Sequence, residues 1–386
     1  MKQHWDIFCK IVDNLGDIGV CWRLARQLHS EYGLSVRLWI DDLAAAKKII
    51  PHLNVDIKQQ AIDEIIILKW LNSNEEINVD FTDVADVVIE AFACELPVAY
   101  LNAMVQKKSK FNQQVTWVNL EYLSAESWVA DFHAQPSPQA NGLTRHFYFP
   151  GFTESTGGLI REANLFDRNK EFANNKADQN AFWQSLNLSN SDHLKVSLFG
   201  YPHAPITDLL TAIAESNQPI DCYVPESSIL PKIADFFGVK SLKVGENIQL
   251  KNLNLHVLPF LNQVDYDRLL TACDINFVRG EDSWLRAIWA GKPFIWQPYF
   301  QDENTHIKKL DAFLALFYAN FSVKNQVMQM HAAWASDHLS AAVWHGYLNQ
   351  LPNIAGYTLQ QSHQLAKQKD LAAKLVVFCN MAQQST

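Results

Sequence analysis

Asp274-Ile275-Asn276-Phe277-Val278-Arg279-Gly280-Glu281-Asp282-Ser283-Trp284-Leu285 opens the stretch that decides how this 386-residue chain folds, and the stretch runs on to Lys308. Its apolar start is short enough for a buried strand. Trp284, Leu285, Ile288 and Trp289 follow at helical spacing, until Gly291-Lys292-Pro293 stops the helix before a second strand at Phe294-Ile295-Trp296. The charged cluster thus lies where a strand ends and a helix begins, the edge at which open α/β sheets bind ligands. The first N–H groups of a helix lack internal partners and carry the positive end of its dipole. Asp282 and Ser283 are expected to cap this helix and lend their amides to a pyrophosphate, with Arg279 as charge partner. Glu281, acceptor-only when ionised, suits sugar or ribose hydroxyls. A capped helix with a surface ion pair accounts for these five residues equally well. Gln301-Asp302-Glu303-Asn304 shifts the balance, because it follows the next apolar run and begins another helix (306–316). Two polar loops then converge on one edge.

Upstream, the same series begins with a strand at 194–199, a turn at Gly200-Tyr201-Pro202 and a helix at 206–214. Strands at 221–224 and 253–258 follow, then Phe260-Leu261-Asn262-Gln263 and a helix at 266–271. Phe199, Tyr201, Phe260 and Gln263 all fall at C-terminal strand ends beside residues 279–283. Aromatic rings and an amide there could stack on and read a planar base, although one aromatic at a strand end is more often ordinary packing.

The first half reads as another βα series. A strand at 5–12 leads into Asp13-Asn14-Leu15-Gly16-Asp17-Ile18-Gly19 and a helix at 20–30. This glycine loop is not GxGxxG and carries two carboxylates, which would repel a pyrophosphate. Asp17 could instead face the other substrate from a helix N-terminus; an N-cap role explains its spacing equally well. Strands at 36–40, 86–90 and 115–120 each end in acidic or polar residues, so a carboxylate-lined edge suits a cationic or polyhydroxyl acceptor. Residues 131–150 read as loop. Gly157 and Gly158 mark a close approach of the chain to a ligand or to another domain.

Composition bounds the rest. With 48% hydrophobic and 12% aromatic residues the chain can bury two cores. A net charge of −9 without a basic run argues against nucleic acid as the main partner. Cys9, Cys21, Cys94, Cys222, Cys273 and Cys379 show neither a CxxC pair nor metal-ligand spacing, and read as buried thiols in a reducing cytoplasm. No signal peptide and no membrane-length apolar run is found, so no membrane is expected as partner. His331, His338 and His345 recur every seven residues, too far apart to share a metal, and read as a half-exposed stripe along one helix.

Two Rossmann-like domains facing a cleft, with a pyrophosphate-type site in the second and free carboxylates in the first, describe the GT-B glycosyltransferase architecture of the α/β class. The motifs Asp13-Asn14-Leu15-Gly16-Asp17-Ile18-Gly19-Val20, Asn119-Leu120-Glu121-Tyr122-Leu123-Ser124-Ala125-Glu126 and Gly157-Gly158-Leu159-Ile160-Arg161-Glu162 stand in order. Arg279-Gly280-Glu281-Asp282-Ser283 and Gln301-Asp302-Glu303-Asn304 complete the set. Together they resemble the EarP family, protein-arginine rhamnosyltransferases that modify translation elongation factor P. The resemblance spans nearly the whole chain, and Leu15 and Cys21 depart from the family at positions without an expected role. It implies inverting transfer of L-rhamnose from dTDP-β-L-rhamnose, a co-substrate, to an arginine of elongation factor P, which activates that factor for rescue of stalled ribosomes. It also implies a catalytic role for Asp17, with Asp13 in support, and donor binding by Phe199, Tyr201, Phe260, Gln263, Arg279, Glu281, Asp282 and Ser283. No cofactor or metal is expected. The residues alone reach only a two-domain nucleotide-sugar enzyme, so a glycosyltransferase or epimerase acting on a small molecule stays open, as does a non-catalytic nucleotide-binding adaptor. The expected boundaries are 1–165 for the acceptor domain, 166–192 for a linker and 193–356 for the nucleotide-sugar domain. A helical region at 357–386 is placed to cross back to the first domain.

Overall fold

The computed structural model describes residues 3–12, 15–70, 80–112 and 114–384. They form two compact units: 1–163 with 368–386, and 164–367. In the first unit β1 (His4–Cys9), α1 (Gly16–Tyr32), β2 (Ser35–Ile40), α2 (Leu43–Ala46), β3 (Gln59–Ile62) and β4 (Ile65–Lys69) come in order. β5 (Val87–Ala91), α3 (Val98–Phe111), β6 (Thr116–Leu120), α4 (Val129–Phe132), β7 (Pro136–Pro138) and β8 (Thr144–Tyr148) follow. The strands make one sheet in the order β3-β4-β2-β1-β5-β6-β8-β7. Its interior pairs are parallel, and antiparallel hairpins β3–β4 and β7–β8 close both edges. β1 and β5 are buried along almost their whole length, as strands covered on both faces must be. On β1 Phe8 stacks on Trp39 at 5.2 Å and meets Tyr100 edge-on at 4.8 Å. Residues 131–150, read as loop, instead contain β7 and β8. Short strands bearing Pro136 and Pro138 are weak in propensity, and pairing with β8 at the sheet edge is what makes them strands.

The second unit starts with α5 (Leu165–Asn174), α6 (Lys176–Ser185), β9 (Leu194–Leu198), α7 (Ile206–Ala214), β10 (Ile220–Pro225) and α8 (Leu230–Phe237). β11 (Asn247–Leu250), β12 (Leu253–Leu258), α9 (Gln263–Ala272), β13 (Ile275–Arg279), α10 (Asp282–Ala290) and β14 (Phe294–Gln297) come next. α11 (Thr305–Phe317), α12 (Lys324–Ala335), α13 (Ala341–Asn349) and α14 (Leu351–Leu365) complete it. Its sheet runs β11-β12-β10-β9-β13-β14, parallel except for the β11–β12 hairpin.

The structure departs from three further expectations. Residues 166–192 are not an extended linker, because α5 and α6 bury Phe172, Phe182 and Trp183 in a core with Tyr223 and Leu269. The histidine repeat does not lie on one helix: His331 is fully buried on α12, His338 follows that helix and His345 sits on α13. The helical region at 357–386 divides, with α14 in the second unit and α15 (Leu371–Gln384) in the first. α15 buries Leu371, Ala372, Leu375 and Cys379, and Leu371 N–H donates to Leu159 O at 2.9 Å. All six cysteines are buried and free of disulfides.

Candidate functional sites of the two units

Each sheet starts at its middle and grows both ways, which creates a switch point between β1 and β5 in one unit and between β9 and β13 in the other. The chain leaves neighbouring strands on opposite faces there, so a crevice opens at the C-terminal strand ends. The sequence-derived candidates among the described residues fall at these two places.

In the first unit Asp17 is the second residue of α1 and is 1% exposed. The N-cap position belongs to Leu15, so the carboxylate is not a cap. Its Oδ2 accepts the Val12 N–H at 2.8 Å and its Oδ1 accepts the Tyr122 hydroxyl at 3.2 Å. Tyr122 stacks on Phe92 with ring centroids 4.3 Å apart. Phe92 and Ala93 both have positive φ, 56° and 52°, an unfavourable conformation for residues with side chains. It is held by Phe92 N–H to Leu120 O at 2.7 Å and Ala93 N–H to Asn119 Oδ1 at 3.1 Å. The neighbouring Cys21 and burial push the Cys9 thiol well up, and the charges of Asp17 and Asp41 act in the same direction. Glu90 does not line the edge as expected: it is buried and accepts from Trp117 Nε1 at 3.1 Å and Arg145 Nη1 at 3.3 Å. Asp13 lies outside the described residues.

In the second unit the Arg279 guanidinium sits over the rings of Phe199 at 4.4 Å and Tyr201 at 4.6 Å. Asp282 and Ser283 are the first two residues inside α10, and Glu281 takes the N-cap position. The Ser283 hydroxyl turns back instead, accepting the Arg279 N–H at 3.1 Å and donating to the Arg279 carbonyl. Gly280 provides the positive φ, 59°, that this tight return needs, and Trp296 Nε1 donates to its carbonyl at 2.7 Å. Gln263 opens α9, where the Asn262 side chain caps the helix through the Val264 and Asp265 N–H groups, both at 3.0 Å. Such a cap is worth about 1 kcal/mol. Gln263 Nε2 reaches Asp282 Oδ2 at 3.4 Å. Phe260 is half-buried just past the end of β12. The structure therefore gathers Phe199, Tyr201, Arg279 and Ser283 around one turn and pairs Gln263 with Asp282, all at the C-terminal edge of one sheet.

Two residues belong with these sites that sequence reading did not assign. Tyr122 lies within a quoted motif, but its bond to Asp17 spans 105 positions and no local pattern announces it. Gln297, buried at the end of β14, accepts the Tyr201 N–H through Oε1 at 2.8 Å. An amide closing an apolar strand was the available signal. Among the described residues no group of three or more His, Cys, Asp or Glu is arranged to hold a metal, and no helix is long and apolar enough to cross a membrane.

Residues 5–380 match the model of the family described as Elongation-Factor P (EF-P) rhamnosyltransferase EarP. The chain belongs to the EarP family. It is 42% identical over 377 residues to a curated protein-arginine rhamnosyltransferase of Pseudomonas aeruginosa, covering 97% of this chain and 98% of that one. The counterpart in Shewanella oneidensis is 38% identical with 97% of both chains covered. A solved structure described as the structural basis for EarP-mediated arginine glycosylation of translation elongation factor EF-P superposes with a TM-score of 0.70. It is 32% identical and the match covers 98% of each chain. MurG of Acinetobacter baumannii, 10% identical with a TM-score of 0.51 and full coverage of both chains, shares the fold alone. The fold class is the GT-B glycosyltransferase class expected of an EarP chain.

Proposed function

We infer that this chain transfers L-rhamnose from dTDP-β-L-rhamnose, with inversion, to one arginine side chain of translation elongation factor P. The observation that carries the reading is the match to the EarP family and to curated protein-arginine rhamnosyltransferases along nearly the whole chain. The two switch-point sites supply chemistry of the right kind. A protonated guanidinium is a poor nucleophile because its lone pairs are delocalised. Asp17, ionised at the start of α1, binds that cation, orients one nitrogen and accepts its proton as the N–C1 bond forms. The C1–O bond to the diphosphate breaks in the same step and dTDP leaves with the electron pair. C1 passes through oxocarbenium-like character, as in glycoside hydrolysis. In the second unit the α10 N-terminus and Arg279 stabilise the departing diphosphate, Phe199, Tyr201 and Phe260 pack on the base, and Gln263, Glu281, Asp282 and Ser283 bind the remaining polar groups of the donor. Asp13 assists Asp17. A translation factor as acceptor supports a cytoplasmic location, as do six buried free thiols.

Intact-mass spectrometry of elongation factor P, incubated with this chain and dTDP-β-L-rhamnose, tests the reading. The expected result is a gain of one deoxyhexose, mapped to a single arginine. No gain despite tight dTDP-rhamnose binding would overturn the acceptor assignment.

A further inference from the structure

α10 buries its own Trp284, Leu285, Ala287, Ile288 and Trp289, yet it also carries an arginine into the interior. The Arg286 side chain is 1% exposed and meets Asp267 of α9, itself 10% exposed. The pair is bidentate, with Nε to Oδ1 at 2.9 Å and Nη2 to Oδ2 at 2.6 Å. A buried ion pair is a weak device for stability, because desolvation offsets most of its Coulomb energy and apolar replacements of similar volume are often neutral or better. Its fixed fork geometry, by contrast, specifies how two elements meet.

Position gives that specification a purpose. Asp267 lies four residues after Gln263, and Arg286 four residues after Asp282, so each sits one turn below a donor-site residue on the same helix face. Gln263 and Asp282 form the upper contact at 3.4 Å, and Asp267 with Arg286 form the lower. We propose that the Asp267–Arg286 pair is a positioning element for the nucleotide-sugar donor, fixing the rotation of α9 against α10 so that their N-termini present Gln263 and Asp282 together. The proposal rests on the reading of those two N-termini as donor site. Without the fork α10 loses its charged tie to α9, and the upper contact, at 3.4 Å near the limit of a hydrogen bond, is too long to set the register by itself.

Calorimetric titration of the full chain with dTDP, alongside initial rates, separates the possibilities. Gln263→Ala is expected to weaken dTDP about tenfold; wild-type affinity would overturn the donor-site reading itself. Arg286→Lys keeps the charge but loses the fork, and is expected to weaken dTDP about tenfold while kcat at saturating donor stays within about threefold. In that background Gln263→Ala should add much less than it does alone, since both act on one contact. The paired change Asp267→Leu with Arg286→Met is expected to melt no lower than wild type yet to show the same loss of dTDP affinity. Wild-type affinity in Arg286→Lys, or full additivity with a weakened Gln263→Ala, would overturn the proposal and leave the pair a structural one. If the apolar pair does not fold, Arg286→Lys alone decides.

Discussion

Asp17 and His331 show how differently two polar side chains can sit in the same chain. Asp17 is held by a backbone N–H at 2.8 Å and a phenol at 3.2 Å, each donating to one carboxylate oxygen. Asp17→Asn keeps the shape and removes the proton acceptor. As the proposed base, it should cost about 10²–10⁴-fold in kcat with dTDP-rhamnose affinity within about twofold, read by mass-spectrometric rates and calorimetry. Near-normal kcat would remove Asp17 from that role. His331 is buried with its Nδ1–H donating to Val327 O at 3.0 Å, while Nε2 meets no partner among the described residues. Burial lowers its pKa from 6.5 to about 4. The unfolded chain therefore binds this proton first, so the contribution is fully present above about pH 6.5 and is lost as pH falls toward about 4. That is on the order of 3 kcal/mol. The melting temperature should fall over this window, and less steeply in His331→Gln; parallel curves would show that His331 is not the titrating group. Spacing alone left Asp17 between an N-cap and a carboxylate facing the other substrate, and the structure removes the first by giving the N-cap position to Leu15. Spacing misread His331, because a seven-residue repeat carries no information about which helix face is covered.

Among elements, the doubled glycine after β8 was legible as a close approach, and the structure supplies the partner. A Cβ on Gly158 would lie 2.8 Å from the Lys369 carbonyl oxygen, and φ there is +79°. Backbone cannot give way cheaply, so Gly158→Ala should cost about 2–3 kcal/mol in denaturant unfolding. Gly238 has φ of +66° but open space around it, with nothing within 4 Å of where a methyl group would stand, so Gly238→Ala should cost only about 1 kcal/mol. Equal losses would mean that the approach to Lys369 carries no weight. The α5–α6 pair was hidden for the opposite reason. Each helix buries two residues, Leu165 with Phe172 and Phe182 with Trp183, and shows water an Asn-, Asp- and Lys-rich face. A narrow apolar stripe diluted by polar residues reads as linker until its partner, α9, is known.

At the scale of the molecule the two sheets followed from the repeated strand, polar turn and helix, which is why the fold class could be read early. Chain path was harder, since no local pattern says which unit a last helix joins. The second unit is one continuous segment, 164–367, whereas the first needs 368–386 to be complete. α15 lays Leu371, Ala372, Leu375 and Cys379 into the first unit. Phe378 packs 5.4 Å from both His146 and Tyr148, and Lys374 Nζ donates to the carbonyls of Glu154 and Thr156 at 3.0 Å. Removing these residues exposes apolar surface at roughly 25 cal/mol per Å² and strips hydrogen bonds from the 154–159 turn. A fragment of 164–367 should therefore unfold in one cooperative step by circular dichroism, while 1–163 alone should show none. Adding a peptide of 368–386 should restore a transition to 1–163, since a helix that binds only the folded form draws the equilibrium toward it by mass action. A cooperative melt of 1–163 without the peptide would mean that α15 covers the first unit without being needed to hold it.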